Sequence, residues 1–410
     1  MYSIVDPLKE KKGASALDTA IAVLFAALVY LPASTTFNII RLAVVAVVFV
    51  FKYYNGEEHD KELNKVALCM AISPLISGGI VFVLEAGNAS TSLIVHEIQR
   101  MLFCAMLIIT VKTLNLNFRI IYIITVLVLV PNFIIQVLQY FQVGSVFSFI
   151  ENNYVFADAD EWTHLDLARE EYGSELRCGS IFLNPNVYMA IPLYAVVVFL
   201  HQDKERKSII NYALIVCAAI SCLITGSRTA TVAMAIIFGI YIFRYANTLG
   251  KIVFVLAALF VAFRYGTELL ATRAFQFDSA GEGSLGTKIN QYGWYFSNAS
   301  VLYWIIGSLG SKVVTTFDSE IGHLYGWYGV FGIYWYVKYY KYIWKHSNEK
   351  VVFYNKPLVY ISLLVAFTAS VLLCMPIYPF AALVLFSNID TGNETVTEEA
   401  AEEKVSEEPL

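Results

Sequence analysis

Charge is scarce in this chain: of 410 residues only 15% are Asp, Glu, Lys or Arg, against 58% hydrophobic. The mean hydropathy of +0.61 matches that scarcity. These values exclude a soluble globular enzyme and indicate a polytopic membrane protein. Cysteine supplies no framework either. Cys69, Cys104, Cys217, Cys222 and Cys374 fall in apolar spans, and only Cys178 lies in a polar segment. That distribution excludes a disulfide scaffold, no Cys/His spacing suits a metal, and no cofactor is expected. The sequence also lacks an internal repeat of the kind that marks many transporters. It has no Rossmann-like soluble domain and no feature that suits nucleic acid.

What the chain does have is apolar length. Stretches of roughly 18 or more apolar residues recur, each able to cross about 30 Å of hydrocarbon. Spans are expected near 14–32, 37–52, 66–85, 98–112, 119–143, 181–200, 208–225, 229–244, 252–268, 318–338, 357–374 and 375–388. The first follows Lys9, Lys11 and Lys12 and reads as an uncleaved helix. Twelve spans place both termini on one side, and the cations choose which. Of 28 Lys and Arg residues, nine fall opposite the N-terminus: Arg41, Arg100, Arg169, Arg177, Arg228, Arg264, Arg273, Lys288 and Lys312. The other nineteen (28 − 9) share the N-terminal side, which is therefore read as cytoplasmic.

The predicted fold is an all-α membrane protein, one transmembrane domain over 1–388, with long outer loops at about 144–180 and 269–317. The last span carries Pro376 and Pro379 and reads as a short crossing or half of a hairpin. Beyond it, residues 389–410 form an acidic tail expected to be disordered and cytoplasmic. Within the second loop, Gln291–Ile306 suggests an amphipathic helix along the interface. Its Trp294, Tyr295, Tyr303 and Trp304 are read as an aromatic belt or a stacking surface for sugars.

Seven of the nine outer cations are arginine. A guanidinium matches phosphate oxygens with a rigid fork of donors, which an ammonium cannot do. Two of these arginines sit in short polar motifs, Arg177-Cys-Gly-Ser-Ile-Phe-Leu-Asn-Pro-Asn186 and Thr225-Gly-Ser-Arg-Thr-Ala230. Around Arg228, Gly226 permits a tight reversal, Ser227 and Thr229 add donors, and a helix start supplies free N–H groups. Asn184 is a fair N-cap and Pro185 suits the first turn, with Asn186 beside them. Other outer arginines are read as snorkelling or pairing with loop acids. A third polar set, Asp318, Glu320 and His323, opens the span at 318. Asp318 is the candidate general base, with a helix-capping carboxylate as the alternative. Glu320 and His323 are spaced to share a helix face.

Arg177-x-Gly-x-x-x-x-Asn-Pro-Asn at a helix start resembles the first signature of the O-antigen polymerase and ligase superfamily. Leu223-Ile-Thr-Gly-Ser-Arg-Thr-Ala230 resembles its second, and Asp318-Ser-Glu-Ile-Gly-His-Leu-Tyr-Gly-Trp-Tyr-Gly-Val-Phe-Gly332 its re-entering helix. The similarity covers about 175–335. It implies a GT-C-like glycosyltransferase of the bacterial plasma membrane that uses undecaprenyl-pyrophosphate-linked glycans at the outer face. In that reading Arg177 and Arg228 bind the donor pyrophosphate, and Arg273 and Lys288 assist. Asn184, Asn186, Ser227, Glu320 and His323 line the substrate site. Ligases of this superfamily commonly carry His where this chain has Asp318, a departure that leans toward a repeat-unit polymerase. Chain-length regulators and flippases of the same pathway are the implied partners. The rivals are a ligase with a non-prenyl acceptor, a flippase or other anion transporter, and a non-enzymatic scaffold of the envelope.

Overall fold

The computed structural model describes residues 15–54, 60–154, 178–182, 184–205, 208–252, 254–256, 259, 284–313, 317, 319–346, 352–366 and 374–390. Among the described residues four helices are long and apolar enough to cross a membrane: α2 (Thr35–Tyr54), α3 (Lys61–Leu84), α4 (Thr91–Lys112) and α5 (Phe118–Tyr140). A shorter α1 (Ala16–Ala27) precedes them. Their starts are written in the sequence as side-chain caps. Ser15 accepts from the N–H of Leu17, Asp60 from Glu62 and Leu63, Ser90 from Leu93, and Asn117 from Arg119. Helix α4 begins at Thr91 rather than near 98, so Arg100 is its tenth residue of 22 and lies well inside the helix, not at its rim.

After α6 (Gly144–Tyr154) the chain resumes at a 3₁₀ turn, Ser180–Phe182, then α7 (Pro185–Tyr188) and α8 (Ala190–Glu205). The continuous span expected at 181–200 is therefore three pieces. Asn184 caps α7 through the N–H of Asn186, and Pro185 occupies its first turn, where a missing N–H costs nothing. Every residue from Tyr188 to Leu200 is buried, which makes α8 the centre of the bundle. It is flanked by α5, α9 (Ile209–Ile224) and α10 (Arg228–Tyr245). Then come α11 (Ser284–Asn298), α12 (Val301–Ile306), α13 (Glu320–Lys345), α14 (Val352–Ala366) and α15 (Tyr378–Phe386). Most of the span expected at 252–268 lies outside the described residues.

Segments counted as cytoplasmic meet at one end. Lys52 Nζ lies 2.5 Å from Asp18 Oδ1, and Asp18 Oδ2 accepts from the N–H of Asn115 at 3.2 Å. Strand β1 (Asn115–Asn117) pairs in parallel with β2 (Asn388–Asp390). The fold thus extends to residue 390 and takes in the first two residues of the expected tail. At the same end Tyr342 donates to Asp60 at 2.8 Å, and Lys345 bridges Glu62 at 2.8 Å. Helix α15 has only nine residues, all but Leu385 buried, and packs on α1, α4, α5 and α8.

Helix α13, over the span expected at 318–338, is broken in the middle. Gly329 breaks it, at φ 60° and ψ −147°, a conformation only glycine adopts readily. In a straight helix Glu320 and Tyr336 would stand about 24 Å apart along the axis. Instead the Tyr336 hydroxyl donates to Glu320 Oε1 at 2.7 Å. A Cβ placed on Gly332 would lie 2.5 Å from the Leu324 carbonyl oxygen. The first arm, 320–328, therefore folds back along the second, 330–345. Breaking the helix orphans the last carbonyls of the arm. Gly326 O is taken by Ser308 N and Oγ, both at 2.8 Å, and by Tyr295 at 3.2 Å, while Ser77 of α3 donates to Trp327 O at 2.6 Å.

Candidate functional site

Two polar corners interrupt the apolar bundle. The first is organised by an amide stripe on α5, Asn132, Gln136 and Gln139, all buried. Their spacing, i, i+4 and i+7, puts them on one helix face. Gln136 Nε2 donates to the carbonyls of Cys178 at 3.0 Å and Ser221 at 2.9 Å, and Ser221 Oγ donates back to Gln136 Oε1 at 2.7 Å. Gln139 and Ser180 exchange two bonds, Nε2 to Ser180 O at 3.1 Å and Ser180 N to Oε1 at 3.0 Å. Ser180 Oγ also donates to Asn132 Oδ1 at 2.7 Å. These bonds hold Ser180 at φ 57°, a region that side chains other than glycine seldom enter.

The stripe draws the two arginine motifs together. The N–H of Cys178, the residue after Arg177, donates to the carbonyl of Ile224 at 3.3 Å. Ile224 ends α9, Gly226 turns the chain at φ 58°, and Arg228 opens α10. Tyr188 and Ser221 share a hydroxyl bond of 2.9 Å, which ties α7 to the same turn. Ser227 departs from its expected role. Its side chain is buried and donates to Met189 Sδ at 3.2 Å, so it is not an outward donor. It also makes no capping bond, which leaves the first N–H groups of α10 without a side-chain cap. Arg177 and Arg273 lie outside the described residues, as do the side chains of Arg228 and Lys288, whose backbones belong to α10 and α11.

The second corner lies where α4 meets the folded-back arm. Arg100 pairs with Glu97 one turn earlier on α4, and its Nη2 lies 3.0 Å from His323 Nε2. Its guanidinium carbon stands 5.4 Å over the Trp327 ring, and Tyr328 donates to Glu97. The expectation of a snorkelling or loop-paired Arg100 is thereby replaced. Arginine has no acceptor, so His323 Nε2 must accept and the ring proton sits on Nδ1. That lone pair is engaged, and His323 cannot take a proton through it in this arrangement. Glu320 is buried under the Tyr336 hydroxyl, and Tyr340 lies 3.4 Å beyond. Spaced as expected to share a face, Glu320 and His323 reach different partners. Asp318 lies outside the described residues, but the next residue, Ser319, caps the arm through Gly322 N at 3.1 Å.

Helix α11 runs beside the arm rather than standing apart from it. Tyr292 meets Ser319 Oγ at 3.0 Å, and Tyr292 follows Lys288 by one helical turn. The helix expected over 291–306 is two, broken between Asn298 and Val301. Of its four aromatics, Tyr295 is fully buried against Phe317, Tyr303 donates to Glu85 at 3.1 Å, and Trp304 packs on Phe296. Only Trp294 is exposed enough to offer a face. Arg41 is spent structurally, donating to the carbonyls of Leu28, Leu31 and Pro32 and to Asn38 Oδ1.

Sequence reading missed the amide stripe and the Glu97–Arg100 pair. Both had a signal, polar residues at helical spacing inside an apolar span. Among the described residues no His, Cys, Asp and Glu cluster could hold a metal ion. Compared with known proteins, the chain matches no family model and no curated protein.

Proposed function

We propose that the protein is a membrane glycosyltransferase that polymerises repeat units carried on undecaprenyl pyrophosphate. The observation that carries this reading is the bond from Cys178 N to Ile224 O, which joins the segments bearing Arg177 and Arg228. In this reading the guanidiniums of Arg177 and Arg228, together with the N-terminus of α10, which has no side-chain cap, serve as a cradle for a pyrophosphate. Such a cradle stabilises the charge that grows on the leaving group as the glycan departs. Asp318, next to the residue that meets α11, is the group proposed to receive the acceptor hydroxyl's proton. The acceptor is then the terminal sugar of a second lipid-linked repeat, at the outer face of a bacterial plasma membrane, within a GT-C-like bundle of about twelve spans.

A second reading, a transporter of lipid-linked anions, is favoured by the buried Glu97–Arg100–His323 set and the broken helix α13. Reconstitution of the full chain with a purified lipid-linked repeat separates the two. A ladder of longer lipid-linked products is expected, lost in Arg177→Ala and Arg228→Ala while both proteins still insert. Movement across the bilayer without elongation would replace the first reading by the second. Normal chain lengths from both variants would remove the pyrophosphate role.

A further inference from the structure

The buried charges on α4 take no direct part in the chemistry proposed above, yet they hold the piece of chain that does. The arm 320–328 begins two residues after Asp318 and ends on the glycine hinge at 329. One flank is held by Tyr292, Tyr295 and Ser308 through hydroxyl and carbonyl bonds. The other is held from α3 and α4: Ser77 on Trp327 O, Tyr328 on Glu97, and Arg100 on both Glu97 and His323. Removing a carboxylate and a guanidinium from water costs more than their attraction reliably returns. In hydrocarbon such pairs are rarer still and tend to be functional. What a charged pair supplies that an apolar contact does not is a single register, because a fork of donors fits only one placement of its acceptors.

We infer that Glu97 and Arg100 are positioning residues, fixing the height of the arm and therefore of the segment that carries Asp318. Arg100 spans two acceptors on different helices, Glu97 on α4 and His323 on the arm, with Trp327 beneath it. An ammonium at that position is a single point and cannot span both. The inference rests on the transferase reading for its kinetic consequence, but the clamp itself is open to direct observation.

The test uses the full chain reconstituted in lipid, with Arg100→Gln and Arg100→Lys compared against wild type in elongation of a purified lipid-linked repeat. Both variants should lose roughly 100-fold in kcat, the scale of a 1 Å misplacement, with KM nearly unchanged. Wild-type kcat in Arg100→Lys would overturn the inference, and so would a rise in KM alone. In parallel, ¹⁵N-histidine spectra, with His323 assigned from His323→Gln, should show the Nδ1–H tautomer in wild type and its loss in both Arg100 variants. An Nε2–H tautomer in wild type would mean that the clamp does not exist. If wild type fails to elongate while the Nδ1–H tautomer is present, the transferase reading falls and the clamp stands.

Discussion

At the α5–α9 corner two neutral amides grip backbone carbonyls and a third accepts from a serine hydroxyl, whereas at the α4–α13 corner a carboxylate and a guanidinium grip side chains. The first corner fastens two segments of fixed shape, a 3₁₀ turn and the last turn of a helix. The second fastens a helical arm that pivots on a glycine. Amides suit the first task because a carbonyl presents its acceptor wherever the backbone runs, and they carry no desolvated charge. Charge suits the second because an arm with apolar faces on a bundle could slide, and only a directional contact selects one height. The difference teaches that buried polarity in this protein tracks what each corner must hold still.

The comparison breaks most completely at Gly329. A Cβ there would strike the carbonyl oxygen of Ile305, and φ 60° would strain any other residue. Gly329→Ala should therefore release the arm and abolish the folded peak in size-exclusion chromatography of the detergent-solubilised protein. A normal peak would show that the fold-back is not obligatory.

The next largest effect sets the two corners directly against each other. Glu97→Ala removes the buried carboxylate that pairs with Arg100 and supplies nothing in its place, and should cost about 3–5 kcal/mol. Gln136→Ala removes neutral interhelical bonds and should cost only about 1 kcal/mol. Unfolding of both variants in mixed micelles measures the gap, and equal losses would erase the distinction drawn between the corners.

The smallest effect belongs to the lysine-rich end. Burial alone would raise the pKa of Asp60, but the N–H of Leu63, the Tyr342 hydroxyl and the N–H of Glu62 outweigh it and hold the carboxyl below its usual range. A depressed carboxyl contributes stability above its unfolded pKa of about 3.9 and loses it as pH falls through the folded value. Asp60→Asn keeps a capping acceptor without the charge. Between about pH 6 and pH 3 its stability should fall less steeply than that of wild type, and parallel curves would remove Asp60 from the acid response.

The long apolar helices were legible from composition, because a run of apolar residues has few other uses in a chain this poor in charge. The caps at Ser15, Asp60, Ser90 and Asn117 could be read from residue type and position as well. The fold-back of α13 was not. Gly326, Gly329 and Gly332 are visible in the sequence, but spacing does not say which glycine turns to positive φ. That choice falls to Gly329 because Ile305 and Gly307 press on it from α12 and the loop after it, contacts remote in sequence. Arg100 was misplaced for a related reason. Its helix was started at the apolar run, although Ser90, seven residues earlier than Glu97, already offered a cap. At the candidate site, the meeting of the two arginine motifs could not be read from either motif, since the residues that join them, Asn132, Gln136 and Gln139, lie on a third helix.

The position of α15 bears on the order in which the molecule can be made. This helix leaves synthesis after every other described helix, yet it packs on α1, α4, α5 and α8, and β2 then pairs with a strand formed before α5. Until it arrives, the buried faces of those earlier helices have no partner at their centre. Contacts between ends so distant in sequence form slowly. The bundle therefore closes only after α15 has left the ribosome, and until then the protein must wait in the bilayer with its middle open.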